Sequence, residues 1–134
     1  MRRKAPPLVP TASGILVADA EAKAGRTLAA YLCRRGFLAS HTAFGSVALS
    51  VVRCAPLGMA IVDVALRDMS GYALTSQLRQ HDASLPILMT SADHGPELEV
   101  RARRMGILYY AQKPVDYHLL EEVVTRVLGH TRNR

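Results

Sequence analysis

Two aspartates, a serine and a lysine in this 134-residue chain each stand at or directly after the end of a short apolar run. In chain order they are Asp19 after GILVA, Asp63 after GMAIV, Ser91 after PILMT, and Lys113 after ILYYAQ. A buried carboxylate is costly unless a partner or a chemical role compensates for its lost hydration. Mg²⁺ commonly takes one or two carboxylates together with phosphate oxygens, and an ammonium and a hydroxyl stabilise phosphoryl charge. Because an aspartate is also a nucleophile that forms acyl phosphates, the set favours metal-assisted phosphoryl chemistry.

The elements that must position these residues alternate along the chain. Apolar runs predict strands over residues 14–19, 37–41, 58–63, 86–91 and 107–112. Helical spacing and stop signals predict helices over residues 21–35, 46–54, 71–80 and 95–104, and from Asp116, an N-cap, to Leu128 before Gly129. This alternation predicts an α/β domain with a five-stranded parallel sheet and helices on both faces. Ligands of such sheets bind outside the carboxyl ends of the strands, so the four side chains are expected at one edge.

Apolar spacing also predicts which helix faces are buried. The predicted faces are Val47, Val51 and Cys54 in the second helix, Tyr72, Leu74 and Leu78 in the third, and Leu119, Leu120, Val123, Val124, Val127 and Leu128 in the last. Cys33 and Cys54 lack metal-ligand spacing and are predicted to be reduced, structural thiols. The five histidines also lack such spacing and are predicted to be surface or loop residues: His41, His81, His94, His118 and His130.

Charge and composition restrict the class of protein. The net charge of +6 comes mostly from the two ends, because residues 14–128 hold twelve Lys/Arg and eleven Asp/Glu. Residues 1–13 are predicted to be a disordered, basic, proline-rich extension, and residues 130–134 a basic tail. Prolines at positions 6, 7 and 10 interrupt the apolar part of a stretch that otherwise resembles a signal peptide. The chain is therefore expected to be cytoplasmic, without a membrane span and with nucleic-acid binding not expected.

Four segments, ILVADAE, IVDVALRDMSG, LPILMTSA and YAQKP, resemble in order and spacing the receiver domains of two-component response regulators. The resemblance covers about residues 14–128 and implies a (βα)5 fold with strand order 2-1-3-4-5. It implies a signalling switch rather than an enzyme. In that family the aspartate at the position of Asp63 accepts a phosphoryl group from a histidine kinase or a histidine phosphotransfer protein.

The resemblance also assigns the remaining roles by position. Lys113 and Ser91 would bind the phosphoryl oxygens, and Ser91 together with Tyr110 would switch the conformation. Mg²⁺ would bind the carboxylates of Asp19 and Asp63 and the backbone carbonyl of Ala65. Since Tyr109 and Tyr110 are neighbours on a strand, they are expected to face opposite sides of the sheet. The surface that meets a partner would include Arg101, Arg104 and Tyr110. The bond between Lys113 and Pro114 is often cis in this family.

Two positions depart from the family's pattern. Ala20 stands where the family has a second acid that contacts the metal, so weaker Mg²⁺ binding and slow or absent phosphotransfer are expected. Glu21 is the alternative source of a ligand. Arg67 stands where proline is frequent and is expected to reshape the loop after the third strand; its guanidinium is a candidate to offset the lost metal charge.

Several alternatives remain open. Ala20 favours a pseudo-receiver that binds partners without being phosphorylated. A flavin- or nucleotide-binding domain requires a phosphate-binding loop after the first strand, which ADAEAKAG does not offer. DNA binding through the basic ends is a third alternative. Structural roles also remain, with Asp19 as a helix cap, Ser91 as a turn residue and Lys113 on the surface. The output is expected to pass through an unidentified partner protein, or the chain to be a fragment of a longer regulator, and a homodimer is left open.

Overall fold

The computed structural model describes residues 14–129 of the chain. Five strands alternate with five helices: β1 (Gly14–Ala18), α1 (Ala22–Arg34), β2 (Leu38–Thr42), α2 (Gly45–Cys54), β3 (Met59–Asp63), α3 (Gly71–His81), β4 (Ile87–Ser91), α4 (Pro96–Arg104), β5 (Tyr109–Gln112) and α5 (Tyr117–Leu128). Every predicted element is present, with its ends shifted by at most two residues. The predicted extension (residues 1–13) and tail (residues 130–134) lie outside the described residues.

All five strands run parallel in the order β2-β1-β3-β4-β5, which confirms the predicted fold and strand order. Ala18 of β1 pairs with Val62 of β3, so the residues that follow them, Asp19 and Asp63, leave the sheet side by side. Asp63 in turn pairs with Thr90 of β4, which places Ser91 one residue further along. The register therefore brings the ends of the three central strands to one edge.

The core has one apolar layer on each face of the sheet. Ala60 and Val62 of β3 face the layer that α2, α3 and α4 cover, whereas Met59 and Ile61 face the layer beneath α1 and α5. Because both faces are covered, all five residues of β3 are buried, as expected for the centre of a parallel sheet. This rigid centre carries Asp63 at its end.

Side-chain N-caps begin α3 and α5, and a glycine ends α5. The Ser70 hydroxyl accepts a hydrogen bond from the Ala73 N–H at 3.0 Å and begins α3. Asp116, the predicted N-cap of α5, accepts one from the Leu119 N–H at 3.1 Å. Gly129 ends α5 with a φ of 74°, a conformation that residues with a Cβ rarely adopt.

The predicted face of α2 is confirmed only at Val51, which is partly buried against the core, whereas the face of α3 is confirmed by the burial of Tyr72, Leu74 and Leu78. Helix α2 buries Ala48, Leu49 and Val52, whereas Cys54 is exposed and 44% of the surface of Val47 is exposed. Apolar residues occupy several faces of this helix, so spacing alone does not select the one that packs.

The predicted face of α5 is only partly correct. Leu120 and Val124 are buried, but 41% of Leu119 is exposed. Since each residue of an α-helix turns by about 100°, Leu119 lies at the margin of the buried stripe.

Predictions about two kinds of isolated side chain are only partly correct. Cys33 and Cys54 are free thiols, as predicted, but both are exposed rather than part of the core. His41 is not a surface or loop residue, because it lies half-buried in β2 with Nε2 3.1 Å from the Asp19 carbonyl oxygen. Its ring fills the space beside Gly25, where a Cβ would collide with it.

Helices α1 and α5 are joined by a polar cluster at the surface, which we call the α1–α5 cluster. The Tyr31 hydroxyl donates to Glu121 Oε1 at 2.6 Å, and Arg35 Nε donates to Glu121 Oε2 at 2.8 Å. The rings of Tyr31 and Tyr117 pack with centroids 5.1 Å apart. Among residues 14–129, no helix is both long and apolar enough to cross a bilayer.

Candidate functional site

Asp19 and Asp63 lie next to each other at the carboxyl edge of the sheet, and 6% and 7% of their surfaces are exposed. The Asp19 N–H donates to the Thr42 carbonyl at 2.9 Å, which extends the pairing of β1 with β2 by one residue. Asp19 Oδ1 accepts the Glu21 N–H at 2.9 Å, so Asp19 stabilises the turn into α1 although Glu21 holds the N-cap position. Asp63 Oδ1 accepts the Ala65 N–H at 3.3 Å.

Lys113 joins the two carboxylates. Its backbone N–H donates to the Ser91 carbonyl at 2.8 Å, which fixes the start of the loop after β5 against the end of β4. From there Nζ lies 3.0 Å from Asp19 Oδ1 and 2.9 Å from Asp63 Oδ2. The peptide bond between Lys113 and Pro114 is cis. The structure thus brings together three of the four predicted site residues in direct contact.

Burial and ion pairing have opposite effects on the pKa values of Asp63 and Lys113. Burial raises the pKa of the Asp63 carboxyl, and the hydrogen bond from Lys113 offsets that effect only in part. Burial also disfavours the Lys113 ammonium, but its hydrogen bonds to Asp63 and Asp19 outweigh this and raise the pKa of Lys113. The contacts therefore favour the charged form of Lys113, whereas burial disfavours the carboxylate form of Asp63.

Ser91, the fourth predicted residue, is buried at the same edge but has other partners. Its hydroxyl donates to the Asp93 carbonyl at 3.1 Å and accepts the Asp93 N–H at 3.0 Å. The Ser91 side chain thus closes a turn after β4, and among the described residues it forms no hydrogen bond with Asp63 or Lys113. Ser91 and Asp63 nevertheless line the same cavity.

A cavity of about 500 Å³ opens at this edge, and residues from four loops line it. Its lining is Ala20, Glu21, Asp63, Val64, Ala65, Ser91, Ala92, Asp93, Leu98 and Lys113. A second, mostly apolar cavity of about 640 Å³ lies on the other side of Lys113, towards α1. The Asp63 carboxylate is therefore reachable by a small group from the first cavity despite its low exposure.

The loop after β3 contains interactions that the sequence analysis missed. The Asp68 carboxylate accepts the N–H groups of Gly45 and Ser46 at 2.7 and 3.0 Å, which caps the start of α2. These partners are more than twenty residues away, so no local spacing in the sequence indicated the cap. At the end of the loop, a Cβ on Gly71 would collide with the Asp63 carbonyl, which explains why glycine stands there.

The predicted switch aromatic, Tyr110, is buried on the face of the sheet that α2, α3 and α4 cover, and Tyr109 faces the other layer, as expected. The Tyr110 hydroxyl has no hydrogen-bond partner among residues 14–129. Beside it, the Tyr72 hydroxyl donates to the Leu98 carbonyl of α4 at 3.0 Å. The Arg101 guanidinium lies 4.1 Å from the centre of the Tyr72 ring.

The basic residues predicted at a partner surface lie on α4. Arg101 and Arg104 are both exposed near the carboxyl end of that helix. Arg101 contacts Tyr72 and so connects the exposed helix to the buried aromatic residues beneath it. The structure contains no partner, and the role of this surface stays a prediction.

The oxygen atoms at this edge of the sheet are just sufficient to bind a divalent cation. Asp19 and Asp63 supply two adjacent carboxylates, which is the number that Mg²⁺ commonly takes from a protein. Further oxygens nearby are the backbone carbonyl of Ala65 and the side chain of Glu21, since both residues line the cavity. Ala20 contributes no oxygen from its side chain, and residues 14–129 contain no group of three acidic, histidine or cysteine side chains arranged for a metal.

A parallel sheet of order 2-1-3-4-5, with two carboxylates and a lysine at its carboxyl edge, defines the class of protein to which the chain belongs. It is a member of the response regulator receiver domain family, whose model matches residues 15–125. The predicted resemblance is thereby confirmed.

Individual relatives agree with this assignment. The transcriptional regulatory protein ZraR of Salmonella typhimurium is 31% identical over 118 residues, which are 88% of this chain and 27% of that protein. A response regulator receiver protein from Pseudomonas putida has a TM-score of 0.80 at 29% identity, covering 84% of this chain and 95% of that one. The chemotaxis protein CheY4 of Vibrio cholerae has the same fold, with a TM-score of 0.80 at 24% identity over 87% of this chain and 98% of that one. The chain spans about a quarter of the length of the curated relatives that it matches first.

Proposed function

We propose that this receiver domain accepts a phosphoryl group on Asp63 and thereby switches a surface that binds a partner. The chain is a receiver domain of two-component systems, and receiver domains take phosphoryl groups from histidine kinases and regulate output domains. The observation that supports phosphorylation here is the contact of one ammonium, Lys113 Nζ, with both Asp63 and Asp19 beside an open cavity.

The transfer is a substitution at phosphorus. An Asp63 oxygen attacks the phosphorus of a phosphohistidine, the P–N bond breaks, and its electron pair goes to the imidazole of the donor protein. Lys113 is already 2.9 Å from Asp63 Oδ2, so its ammonium is positioned to bind a phosphoryl oxygen with little movement. Asp19 holds the other side of Lys113 and keeps the ammonium at the site.

Receiver domains generally depend on Mg²⁺, and here Asp19, Asp63 and the Ala65 carbonyl would hold it, with Glu21 as the alternative ligand. When bound, the ion supplies positive charge that neutralises phosphoryl oxygens. With Ala20 beside the carboxylates, we expect the ion to bind weakly.

The switch would follow from the change of charge at Asp63. A phosphoryl group adds acceptor oxygens in the cavity that Ser91 lines, and these compete with Asp93 for the Ser91 hydroxyl. Movement of Ser91 would shift the packing of Tyr110 and of α4 above it, and would change the presentation of Arg101 and Arg104. The population of the active surface then depends on phosphorylation.

The test is direct. The protein is incubated with Mg²⁺ and acetyl phosphate, and its intact mass is measured over time. We expect one phosphoryl group to be added, and we expect Asp63→Asn to abolish the addition. Ser91→Ala leaves the acceptor intact and serves as the matched variant, with reduced but measurable phosphorylation. Unchanged mass in the wild-type protein with both acetyl phosphate and a phosphohistidine donor would contradict the proposal.

A second candidate is a pseudo-receiver that binds its partners without phosphorylation. Ala20 favours it, because the methyl group removes one oxygen that a cation at this edge would use. Under this alternative, Asp63→Asn leaves partner binding unchanged and acetyl phosphate adds no mass to the wild-type protein. The same mass measurement therefore separates the two candidates.

The phosphoryl donor, the partner and the cellular location are also proposals. A histidine kinase or histidine phosphotransfer protein would be the donor, and an output protein or a second copy of the chain would read the switched surface. We propose a signalling switch in the cytoplasm rather than an enzyme.

A further inference from the structure

Arg67 lies four residues after Asp63, in a loop that other contacts hold in place. Its backbone N–H donates to the Ala43 carbonyl at 3.2 Å, and the Leu66 N–H donates to the Met69 carbonyl at 3.0 Å. The next residue, Asp68, caps α2 with its carboxylate. The backbone on both sides of Arg67 is therefore fixed, which restricts the region that its side chain reaches.

The side chain of Arg67 crosses from the loop after β3 to the loop after β1. Its Nε donates to the Ala20 carbonyl at 3.0 Å. Strands β1 and β3 are neighbours, so the guanidinium bridges the two loops that follow Asp19 and Asp63. Within residues 14–129, Arg67 forms no ion pair with a carboxylate. Its two terminal NH₂ groups retain donors for another acceptor.

The charge at this edge differs by two units from that of a site with an acid at position 20 and a neutral residue at position 67. Both differences weaken the attraction of the site for a divalent cation, because an acid is absent at position 20 and a positive charge is present at position 67. The same changes favour a phosphoryl group, since the planar guanidinium binds two oxygens of such a group at once. The methyl side chain of Ala20 offers no carboxylate to the guanidinium, and Arg67 Nε instead donates to the Ala20 backbone carbonyl.

We propose that Arg67 is a phosphoryl-binding residue that replaces part of the charge a divalent cation supplies at this site. Its Nε is anchored on the carbonyl of Ala20, a residue that lines the cavity beside Asp63, and its terminal nitrogens would bind an oxygen of the phosphoryl group on Asp63. This inference rests on the proposed function, because it concerns the phosphorylated state of Asp63. It follows that phosphorylation depends only weakly on Mg²⁺, and that Mg²⁺ binds the unphosphorylated protein poorly.

The first experiment needs no phosphorylation. Binding of Mg²⁺ to the unphosphorylated protein is measured by titration calorimetry for the wild type, Arg67→Gln and Arg53→Gln. Arg53 is exposed near the end of α2, so Arg53→Gln makes the same change of net charge away from the site. We expect Arg67→Gln to tighten Mg²⁺ binding by about fivefold and Arg53→Gln to leave it unchanged. Equal affinities for all three proteins would overturn the charge argument.

The second experiment measures phosphorylation by intact mass, with acetyl phosphate in the presence of Mg²⁺ or of a chelator. We expect the wild type to retain a substantial fraction of its phosphorylation with the chelator, and Arg67→Gln to lose most of that fraction. Arg67→Lys keeps the charge without the planar fork and should be intermediate. Circular dichroism of each variant checks that the fold is intact.

The outcomes separate this inference from the proposed function. If the wild type is phosphorylated and Arg67→Gln shows the same dependence on Mg²⁺, the role of Arg67 is overturned and the proposed function stands. If the wild type takes up no phosphoryl group under any condition, the proposed function is overturned and the role of Arg67 with it.

Discussion

The molecule contains two clusters of opposite charges that differ in burial and in the pKa of their acids. At the strand ends, Lys113 holds Asp19 and Asp63 in a largely buried site, and burial raises the pKa of Asp63. In the α1–α5 cluster, hydrogen bonds from Tyr31 and Arg35 lower the pKa of Glu121.

A raised pKa means that folding disfavours the carboxylate, and a lowered pKa means that folding favours it. At the strand ends, folding therefore disfavours the Asp63 carboxylate, although the same contacts raise the pKa of Lys113 and so favour its ammonium. The α1–α5 cluster adds a small amount of stability, because its ion pair lies at the surface. Folding thus acts against the carboxylate of Asp63 and in favour of the carboxylate of Glu121.

The largest effect is expected from Lys113→Met. The variant leaves Asp19 and Asp63 adjacent, buried and without their ammonium, so the free energy of unfolding at pH 7 should fall by about 2–3 kcal/mol. Urea unfolding followed by circular dichroism measures this fall. Addition of Asp63→Asn to the variant should restore part of the loss, because only one buried carboxylate then remains. A loss no larger than that of Arg35→Met would contradict the contrast between the two clusters.

The next largest effect, that of Asp63→Asn, is expected to be an increase in the free energy of unfolding. Asp63→Asn removes a carboxylate whose folded-state pKa is raised, and Lys113 keeps Asp19 as its partner. We expect a gain of about 1 kcal/mol in the free energy of unfolding at pH 7. The gain should shrink as the pH falls through the folded-state pKa and vanish below the unfolded value of 3.8, where wild-type Asp63 is protonated in both states. Unfolding curves over this pH range check the sign, and a loss of stability at pH 7 would contradict it.

The sequence predicted the fold well because strong local signals were available. Every apolar run was short and bounded, and glycine or proline stood near most element ends. The carboxyl edge followed from the parallel sheet, and so did the meeting of Asp19, Asp63 and Lys113. Where an element had apolar residues on several sides, as in α2, its buried face depended on packing that spacing does not encode.

Contacts between distant loops were less predictable than the elements. The sequence singled out Ala20 and Arg67 as separate departures, but only the structure shows that Arg67 Nε bonds to the Ala20 carbonyl. Two further contacts were not predicted for the same reason. They are the turn that occupies the Ser91 hydroxyl and the cap that Asp68 provides to α2. Each depends on where a side chain points after the chain has folded.

Two tyrosine hydroxyls extend the comparison to neutral groups. The Tyr110 hydroxyl is buried without a partner among the described residues, whereas the Tyr31 hydroxyl donates to Glu121. We expect Tyr110→Phe to raise the free energy of unfolding by about 0.5–1 kcal/mol, because it removes an unsatisfied buried group. Tyr31→Phe, the matched variant, should lower it slightly. Thermal and urea unfolding of both proteins test the difference, and destabilisation by Tyr110→Phe would show that its hydroxyl is satisfied in solution.

The smallest effect is expected from Glu121→Gln. The amide keeps an oxygen for Tyr31 but loses the charge that Arg35 binds, so stability at pH 7 should fall by less than about 1 kcal/mol. Because folding lowers the pKa of Glu121, this contribution is complete above the unfolded value of 4.5 and is lost as the pH falls through the folded-state pKa. High salt should also reduce it, because the pair is at the surface. Glu122→Gln is the control, since the only ion pair of Glu122 among the described residues is to His118 at 3.9 Å. Equal losses from the two substitutions would show that the α1–α5 cluster adds nothing beyond an ordinary surface charge, and the contrast with the strand-end cluster would then rest on Asp63 alone.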